Sequence, residues 1–294
     1  MPYLICPQCD HYYEVEPGEE FSTCECGQTL IQVEDLEEYY SPHHQRESIA
    51  TGNTFTEDMS NQYYENKDKG RNFQIIGGFI SILGFLLTLF LRNFLFLIFV
   101  FMGVVLLIYA QSFISRNELK GKGWAKGLVG ENIVSDYLKQ LPTDYFIYND
   151  VNLPGKKGNI DHVVIGPNGI FVIETKSYSG KYLIKGNDWF YYKGGNYHTV
   201  KTNPAHQVIR NTMELRKFME SKGVDTSIWF QAIVAFKNSD FQVKEKPKAY
   251  KVLIPETVPK YILNQNRKYD IEILKKAALE LEPYCVELSF VNKL

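Results

Sequence analysis

The sequence predicts a multidomain fold: a small cysteine-rich ribbon, an α-helical transmembrane hairpin, and an α/β domain with a mixed central sheet flanked by helices. Three observations predict this fold class. Four of the five cysteines fall within the first 26 residues. Two uncharged apolar runs occupy residues 73–91 and 94–114. From Trp124 onward, helical and strand-like periodicities alternate, as expected of an α/β domain.

The charge distribution separates the two ends of the chain. The formal net charge is only −2, but residues 1–40 contain ten acidic residues and no Lys or Arg. Residues 116–294 contain 27 basic and 19 acidic residues, so this end is the one suited to a polyanion. We therefore expect a ribbon at 1–40, a polar linker at 41–72, two transmembrane helices at 73–114, an α/β domain at 116–240 and its C-terminal extension at 241–294.

The early cysteines form two close pairs, CPQC at Cys6 and Cys9 and CEC at Cys24 and Cys26. Two thiolate pairs on short turns resemble a zinc ribbon, in which four sulfurs surround Zn2+ tetrahedrally. The second pair has one intervening residue rather than two, and four reactive or incidental thiols are the alternative. Four thiolates leave no open coordination position, so this zinc would be structural. The acidic surroundings favour a protein partner over a phosphate-bearing one.

The two apolar runs predict a helical hairpin in a membrane. Each run is long enough to cross the roughly 30 Å hydrocarbon layer as a helix, and only Arg92-Asn93 separates them. Positive residues flank the pair on both sides, which predicts that both termini are cytoplasmic and that the protein is a multi-pass protein of the cell membrane. A pair of buried core helices in a soluble domain is the alternative.

The remaining sequence predicts the order helix, three strands, an excursion, helix and strand. The segment GLVGENIVSDYLKQL has a helical apolar stripe that Pro142 ends. After three strands, residues 181–200 are expected to form two further strands that turn at Gly186-Asn187. Asn203 and Pro204 are expected at the cap and first position of a second helix.

A charged cluster occupies the most apolar hairpin of this domain, NIDHVVIGPNGIFVIETK. Strand alternation places Glu174 and Lys176 on one face and Thr175 on the other, and the turn at 167–168 brings Asp161 opposite Glu174. Two carboxylates that close favour a hard divalent cation such as Mg2+ or Mn2+, with the Thr175 carbonyl as a further ligand. Lys176 would position and deprotonate an attacking water. A structural salt bridge between Glu174 and Lys176 is the alternative.

Three stretches, GLVGENIV, GNIDHVVIGPNGIFVIETKSYSGK and NPAHQ, resemble the nuclease-related domain (NERD) of the PD-(D/E)XK restriction-endonuclease-like superfamily. The resemblance covers about residues 124–236. It implies a restriction-endonuclease-like fold with Glu131, Asp161, Glu174 and Lys176 in the active site and Gln207 as a supporting residue.

The expected function is therefore a membrane-anchored nuclease that hydrolyses phosphodiester bonds of DNA or RNA with Mg2+ or Mn2+, and DNA is the favoured nucleic-acid partner. The alternative is a non-catalytic membrane-tethered scaffold that only holds nucleic acid or protein. His162, next to Asp161, is expected to be a packed core histidine. The aromatic run from Trp189 to Tyr192 predicts either strand core or a platform on which unpaired bases stack.

Overall fold

The computed structural model describes residues 3–5, 12–14, 23, 29–33, 47–156, 158–225, 227–238 and 240–290. Near the N-terminus, three short strands pair antiparallel in the order β2-β1-β3: β1 Tyr3–Ile5, β2 Tyr12–Glu14 and β3 Ile31–Val33. The four cysteines of the predicted zinc ribbon lie outside the described residues.

Two long helices form the hairpin, and both extend well beyond the apolar runs. Helix α1 spans Phe55–Leu91 and helix α2 spans Leu97–Leu138, with a short 3-10 turn at Phe94–Phe96 between them. Thr54 caps α1 by accepting a hydrogen bond from the Glu57 amide. The prediction of a linker at 41–72 is therefore wrong from residue 47 onward, where a strand (β4, Glu47–Ala50) and then α1 begin.

Small residues allow the two helices to approach closely. Glycines recur every seven residues in α1, at Gly70, Gly77 and Gly84, and are buried against α2. A Cβ added at Gly77 would meet the carbonyl oxygen of Gly103 at 3.0 Å, so the backbones touch where glycines face each other. A heptad repeat of this type keeps one seam of each helix against its partner.

Both helices are long and apolar enough to cross a membrane, by length and composition. Most of their large apolar side chains face outward; Phe90, for example, is 82% exposed. The described residues leave these side chains uncovered, which favours a membrane hairpin over two buried core helices.

Helix α2 continues without a break into the α/β domain. Its last turns carry Val134 and Leu138, which are fully buried against the central sheet. At 1.5 Å per residue, the segment from the end of the apolar run at residue 114 to Glu131 is about 25 Å long. A polar stalk, residues 55–72 of α1 and 115–130 of α2, therefore joins the apolar hairpin to the domain.

The central sheet has seven strands in the order β13-β11-β7-β6-β5-β14-β4. Strands β13, β11 and β7 are parallel, and the others pair antiparallel. The edge strand β4 and the last strand β14 come from segments that the sequence assigned to the linker and the C-terminal extension, so both belong to this domain. The remaining bounds are β5 Phe146–Val151, β6 Ile160–Gly166, β7 Gly169–Lys176, β11 Phe230–Phe236, β13 Tyr250–Leu253 and β14 Cys285–Phe290.

Helices cover both faces of this sheet. One core contains side chains of α2 and of the short helix α4, Val258–Leu263. The other contains side chains of α3, Pro204–Ser221, and α5, Ile271–Leu281. As predicted, Asn203 caps α3 and Pro204 is its first residue.

A second sheet of four strands has the order β10-β9-β8-β12. The sequence predicted two strands between residues 181 and 200, but the structure has three, since the chain turns again at Gly194-Gly195. Both glycines have positive φ, which suits a tight turn of this kind. The bounds are β8 Tyr182–Lys185, β9 Asp188–Lys193, β10 Asn196–Thr199 and β12 Phe241–Glu245.

Candidate active site

The hairpin β6–β7 brings the two predicted carboxylates together. His162 pairs with Ile173, so the register confirms that Asp161 lies opposite Glu174, one position further along. The Thr175 amide donates to Asp161 Oδ2 at 2.7 Å and fixes this carboxylate at the end of β7. Burial and the nearby charge of Glu174 raise the pKa of Asp161 well above its usual range.

Glu174 is 1% exposed and has two partners. The Lys176 ammonium donates to its Oε1, and Asn211 Nδ2 from α3 donates to its Oε2 at 3.2 Å. Burial raises the pKa of Glu174, against the lowering effect of Lys176. Burial alone would lower the pKa of Lys176, but Glu174 and Asp161 outweigh it and hold that pKa above the usual value. Lys176 is therefore a fully charged cation among buried acids.

Glu131 adds a third carboxylate from α2. It accepts a hydrogen bond of 2.8 Å from the Thr56 hydroxyl. Burial, followed by the charge of Asp161, raises the pKa of Glu131 to about 7. Gly130 allows this approach, because a Cβ there would meet Ser177 Cβ at 2.9 Å, just beyond the end of β7.

Asp150, a fourth buried acid, was missed at the sequence level. Its Oδ2 accepts a 2.6 Å hydrogen bond from the amide of Phe55, the first residue of α1. Its backbone has φ of 53°, a left-handed conformation uncommon for a residue other than glycine. Its charge contributes to the raised pKa values of both Glu131 and Asp161. In the sequence, no feature distinguishes Asp150 from an ordinary residue near the end of a strand.

The first turn of α1 thus contacts the candidate site twice, through Phe55 to Asp150 and through Thr56 to Glu131. Thr56 is buried, and the Phe55 ring packs edge-on against Trp124 of α2 at 5.8 Å between centroids. The helix that leads into the apolar hairpin is therefore part of the wall of this site. A capping sequence, Thr54-x-x-Glu57, was the available signal for a helix start here.

The opposite face of the hairpin carries a polar network centred on His162. His162 Nδ1 lies 2.8 Å from Asn149 Oδ1, and its Nε2 lies 3.1 Å from the Thr175 hydroxyl. The amide of Asn149 donates to Ser135 and Glu287. Burial lowers the pKa of His162 to about 3, so the ring is neutral. The prediction of a packed core histidine is confirmed, and the Thr175 side chain points away from the carboxylates as predicted.

Gln207 lies on α3, one turn before Asn211 and so on the same helix face. Asn211, rather than Gln207, makes the hydrogen bond from this helix to Glu174. Asn211 is buried, whereas the Gln207 side chain is half-exposed. The supporting role of Gln207 stays a prediction, and the sequence analysis did not single out Asn211, which contacts the carboxylate.

The donor set at this site suits a hard divalent cation. The carboxylates of Asp161, Glu174 and Glu131 raise one another's pKa values, and Lys176 and Arg210 are the positive charges that act on Glu174. Carboxylate oxygens are the ligands that such cations prefer. Within the described residues, no three His, Cys, Asp or Glu side chains already converge as a ligand cage. Cation binding would therefore require side-chain rotation at Glu174, whose Oε1 is held by Lys176.

The mixed sheet with flanking helices is consistent with an α/β nuclease-like domain. Residues 126–237 match the nuclease-related domain family. An uncharacterized protein of Bacillus anthracis is 36% identical over 88 residues, which are 29% of this chain and 40% of that protein. The chain thus spans about two fifths of the length of the curated relative that it matches. No solved structure matches the chain.

Proposed function

We propose that the protein is a membrane-anchored, metal-dependent nuclease that hydrolyses phosphodiester bonds of DNA or RNA. The observation that carries the proposal is the set of three carboxylates and one lysine at the end of β6–β7, within the region that matches the nuclease-related domain. Structural ion pairs seldom leave carboxylates in such excess in a buried site, because each uncompensated charge costs free energy.

Each residue of the site has a separate proposed role in hydrolysis. Asp161 and Glu174 would hold Mg2+ or Mn2+, with the Thr175 carbonyl as a further oxygen ligand. When bound, such a cation supplies charge stabilisation for phosphoryl oxygens and makes water more acidic. Lys176 orients the attacking water and stabilises negative charge on the scissile phosphate. Asn211 holds Glu174 in position, and Glu131, fixed by Thr56, supplies a third acidic group to the site.

The test of this proposal uses the full chain in detergent. A fragment that starts at residue 116 would lose β4 and the contacts of Phe55 and Thr56 with the site. Plasmid, linear duplex, single-stranded DNA and RNA are incubated with the protein, with Mg2+ or with a chelator. Cleavage that requires Mg2+ supports the proposal. Binding without cleavage of any of these substrates would instead indicate a non-catalytic scaffold.

The exposed apolar side chains of α1 and α2 support the proposed membrane anchor. The basic residues that flank the apolar runs on both sides support the proposal that both termini are cytoplasmic. A cysteine introduced at Asn93, between the helices, is expected to react with an impermeant thiol reagent added outside intact cells. A cysteine at Lys122, in the stalk, is the control and should react only after the membrane is opened. Equal labelling of both positions in intact cells would contradict this topology.

We also propose a structural zinc ion on Cys6, Cys9, Cys24 and Cys26, and a protein partner for the acidic ribbon, both on the grounds of sequence alone. Protein purified under reducing conditions is expected to contain about one zinc per chain by elemental analysis. Cys9→Ser should lower the zinc content sharply, whereas Cys285→Ser should leave it unchanged. Equal zinc in the two variants would rule out the ribbon site.

A further inference from the structure

The four-stranded sheet has two chemically different faces. Alternate residues of β8 and β9 place Ile184 and Trp189 on the inner face, where both are fully buried. The Trp189 ring packs on Phe236 of the central sheet at 5.0 Å, and its Nε1 donates to the Tyr250 hydroxyl at 2.8 Å. The inner face therefore holds the small sheet against the domain, which leaves the outer face open.

The outer face presents aromatic rings to solvent. Tyr192 of β9 and Tyr197 of β10 pair directly in register and are 46% and 43% exposed. Their rings meet edge to face with centroids 5.2 Å apart. On the neighbouring strand pair, Phe190 lies opposite Leu183 on the same face. Exposed rings held by a rigid sheet provide flat surfaces at little conformational cost.

Lysines accompany these rings. The Lys181 ammonium lies 5.9 Å from the centre of the Tyr192 ring, and that of Lys185 lies 5.7 Å from the centre of the Phe190 ring. Residues 181–201 and 240–248 together contain seven lysines and three acidic residues. The outer face thus combines positive charge with aromatic rings, the composition that holds single strands by their phosphates and bases.

The small sheet is joined to the strand of the candidate active site by a short connection. Only five residues, 177–181, separate the end of β7 from β8, and the Tyr178 ring within them stacks on Tyr182 at 5.6 Å. The charges of Lys176, Glu174 and Asp161 all affect the pKa of Tyr178, which burial raises. The sheet that carries the outer face is thus attached directly to the strand that carries Glu174 and Lys176.

We propose that the outer face of β8–β10 binds single-stranded nucleic acid, with Tyr192 and Tyr197 stacked on bases and Lys181 and Lys185 on phosphates. This inference rests on the proposed nuclease function and narrows its substrate to a strand with unpaired bases. A duplex offers no free base faces to these rings, so it would use the lysines alone. Stacking on two bases is expected to strengthen binding by roughly tenfold or more.

An anionic lipid surface is a less suitable occupant. Lys126 of α2 contacts Ser179, just before β8, and lies twelve residues beyond the end of the apolar run at 114. That length of helix is about 18 Å, roughly twice the screening length at physiological salt. At this distance from the membrane surface, the charge of lipid headgroups attracts the lysines of the sheet only weakly.

The experiment measures binding by fluorescence anisotropy, with the full chain in detergent and a chelator present so that no strand is cut. The probes are a labelled 20-nucleotide oligo-dT and a duplex hairpin of equal charge. We expect the wild type to prefer the single strand, and Tyr192→Ala/Tyr197→Ala to weaken that binding at least tenfold while the duplex changes less than twofold. Tyr64→Ala, at an exposed tyrosine of α1, is the matched control and should bind as wild type does.

Equal single-strand affinity in the double variant and the wild type would overturn the inference. So would a defect only in binding to phosphatidylserine vesicles, measured with the protein in neutral nanodiscs, because that result assigns the face to lipid. A cleavage assay with Mg2+ keeps the two proposals distinct. Tyrosine-dependent binding without any cleavage would refute the nuclease proposal alone, whereas cleavage with unchanged binding would refute the inference alone.

Discussion

Asp161→Asn is expected to lower the rate of hydrolysis by about a thousandfold or more, because it removes one of the two carboxylates that would hold the cation. Asparagine keeps the acceptor for the Thr175 amide, which donates to Asp161 at 2.7 Å in the wild type. The fold should therefore survive. Cleavage of a labelled oligonucleotide under single-turnover conditions measures the effect.

The same substitution is expected to change how the stability of the metal-free protein depends on pH. Burial and Glu174 raise the folded-state pKa of Asp161, so its contribution to stability is present at low pH and lost as pH rises through that pKa. Asp161→Asn should thus leave the free energy of unfolding at pH 8 unchanged or higher, and flatten its decline between pH 5 and pH 8. Asp136→Asn, at a side chain that is 62% exposed, is the control and should change neither property. A variant that loses stability at pH 8 in chelator would support a purely structural carboxylate.

Lys176→Met has the opposite expected effect on stability. Glu174 is 1% exposed, and this substitution removes the ammonium that pairs with its carboxylate. The loss is expected to lower the free energy of unfolding by about 3 kcal/mol at pH 8. The cost should shrink at pH 5, because Glu174 can then take up a proton. Hydrolysis should fall at least about a hundredfold, since the water and the scissile phosphate lose their positive partner. Chemical denaturation at the two pH values and the same cleavage assay measure both effects.

The response to Mg2+ separates the catalytic role of Lys176 from a structural salt bridge. If the carboxylates bind a cation, Mg2+ can replace part of the charge that Lys176→Met removes, and it should raise the melting temperature of this variant more than that of the wild type. Lys237→Met, just beyond the neighbouring strand β11, is the matched control. If Mg2+ does not change the melting temperature of Lys176→Met, the result would favour the structural salt bridge.

The hairpin β6–β7 could be predicted from the sequence because its determinants are local. Alternation decides which side chains share a face, and the four-residue turn decides which residues lie opposite each other. Asp161, Glu174 and Lys176 were placed correctly for these reasons. The cap of α3 at Asn203 was equally local.

The misassigned segments depend on partners that are distant in sequence. Strand β4 was assigned to a linker because its apolar content is low, and it is ordered by pairing with β14, for example Ile49 with Leu288. The polar start of α1 is helical because it packs on α2, with Lys67 in an ion pair with Glu118 at 3.5 Å. No short window of sequence contains these contacts.

The site itself shows the same limit. Asp150 and Thr56 join it through contacts with α1 and α2 that only the tertiary fold creates. Helix periodicity places Gln207 and Asn211 on one face of α3, but only the tertiary structure shows that Asn211 contacts Glu174. Sequence thus placed the charged residues of the hairpin, and packing determined which further residues contact them.

The proposed metal-dependent active site is tested most directly by measuring whether Asp161 and Glu174 bind a divalent cation. Mn2+ binding to the full chain in detergent can be followed by electron paramagnetic resonance, in which bound Mn2+ loses the sharp signal of the free ion. We expect saturable binding by the wild type and by Asp136→Asn, and loss of that binding in Asp161→Asn and Glu174→Gln. Equal Mn2+ binding in all four proteins would contradict a cation site on these two carboxylates.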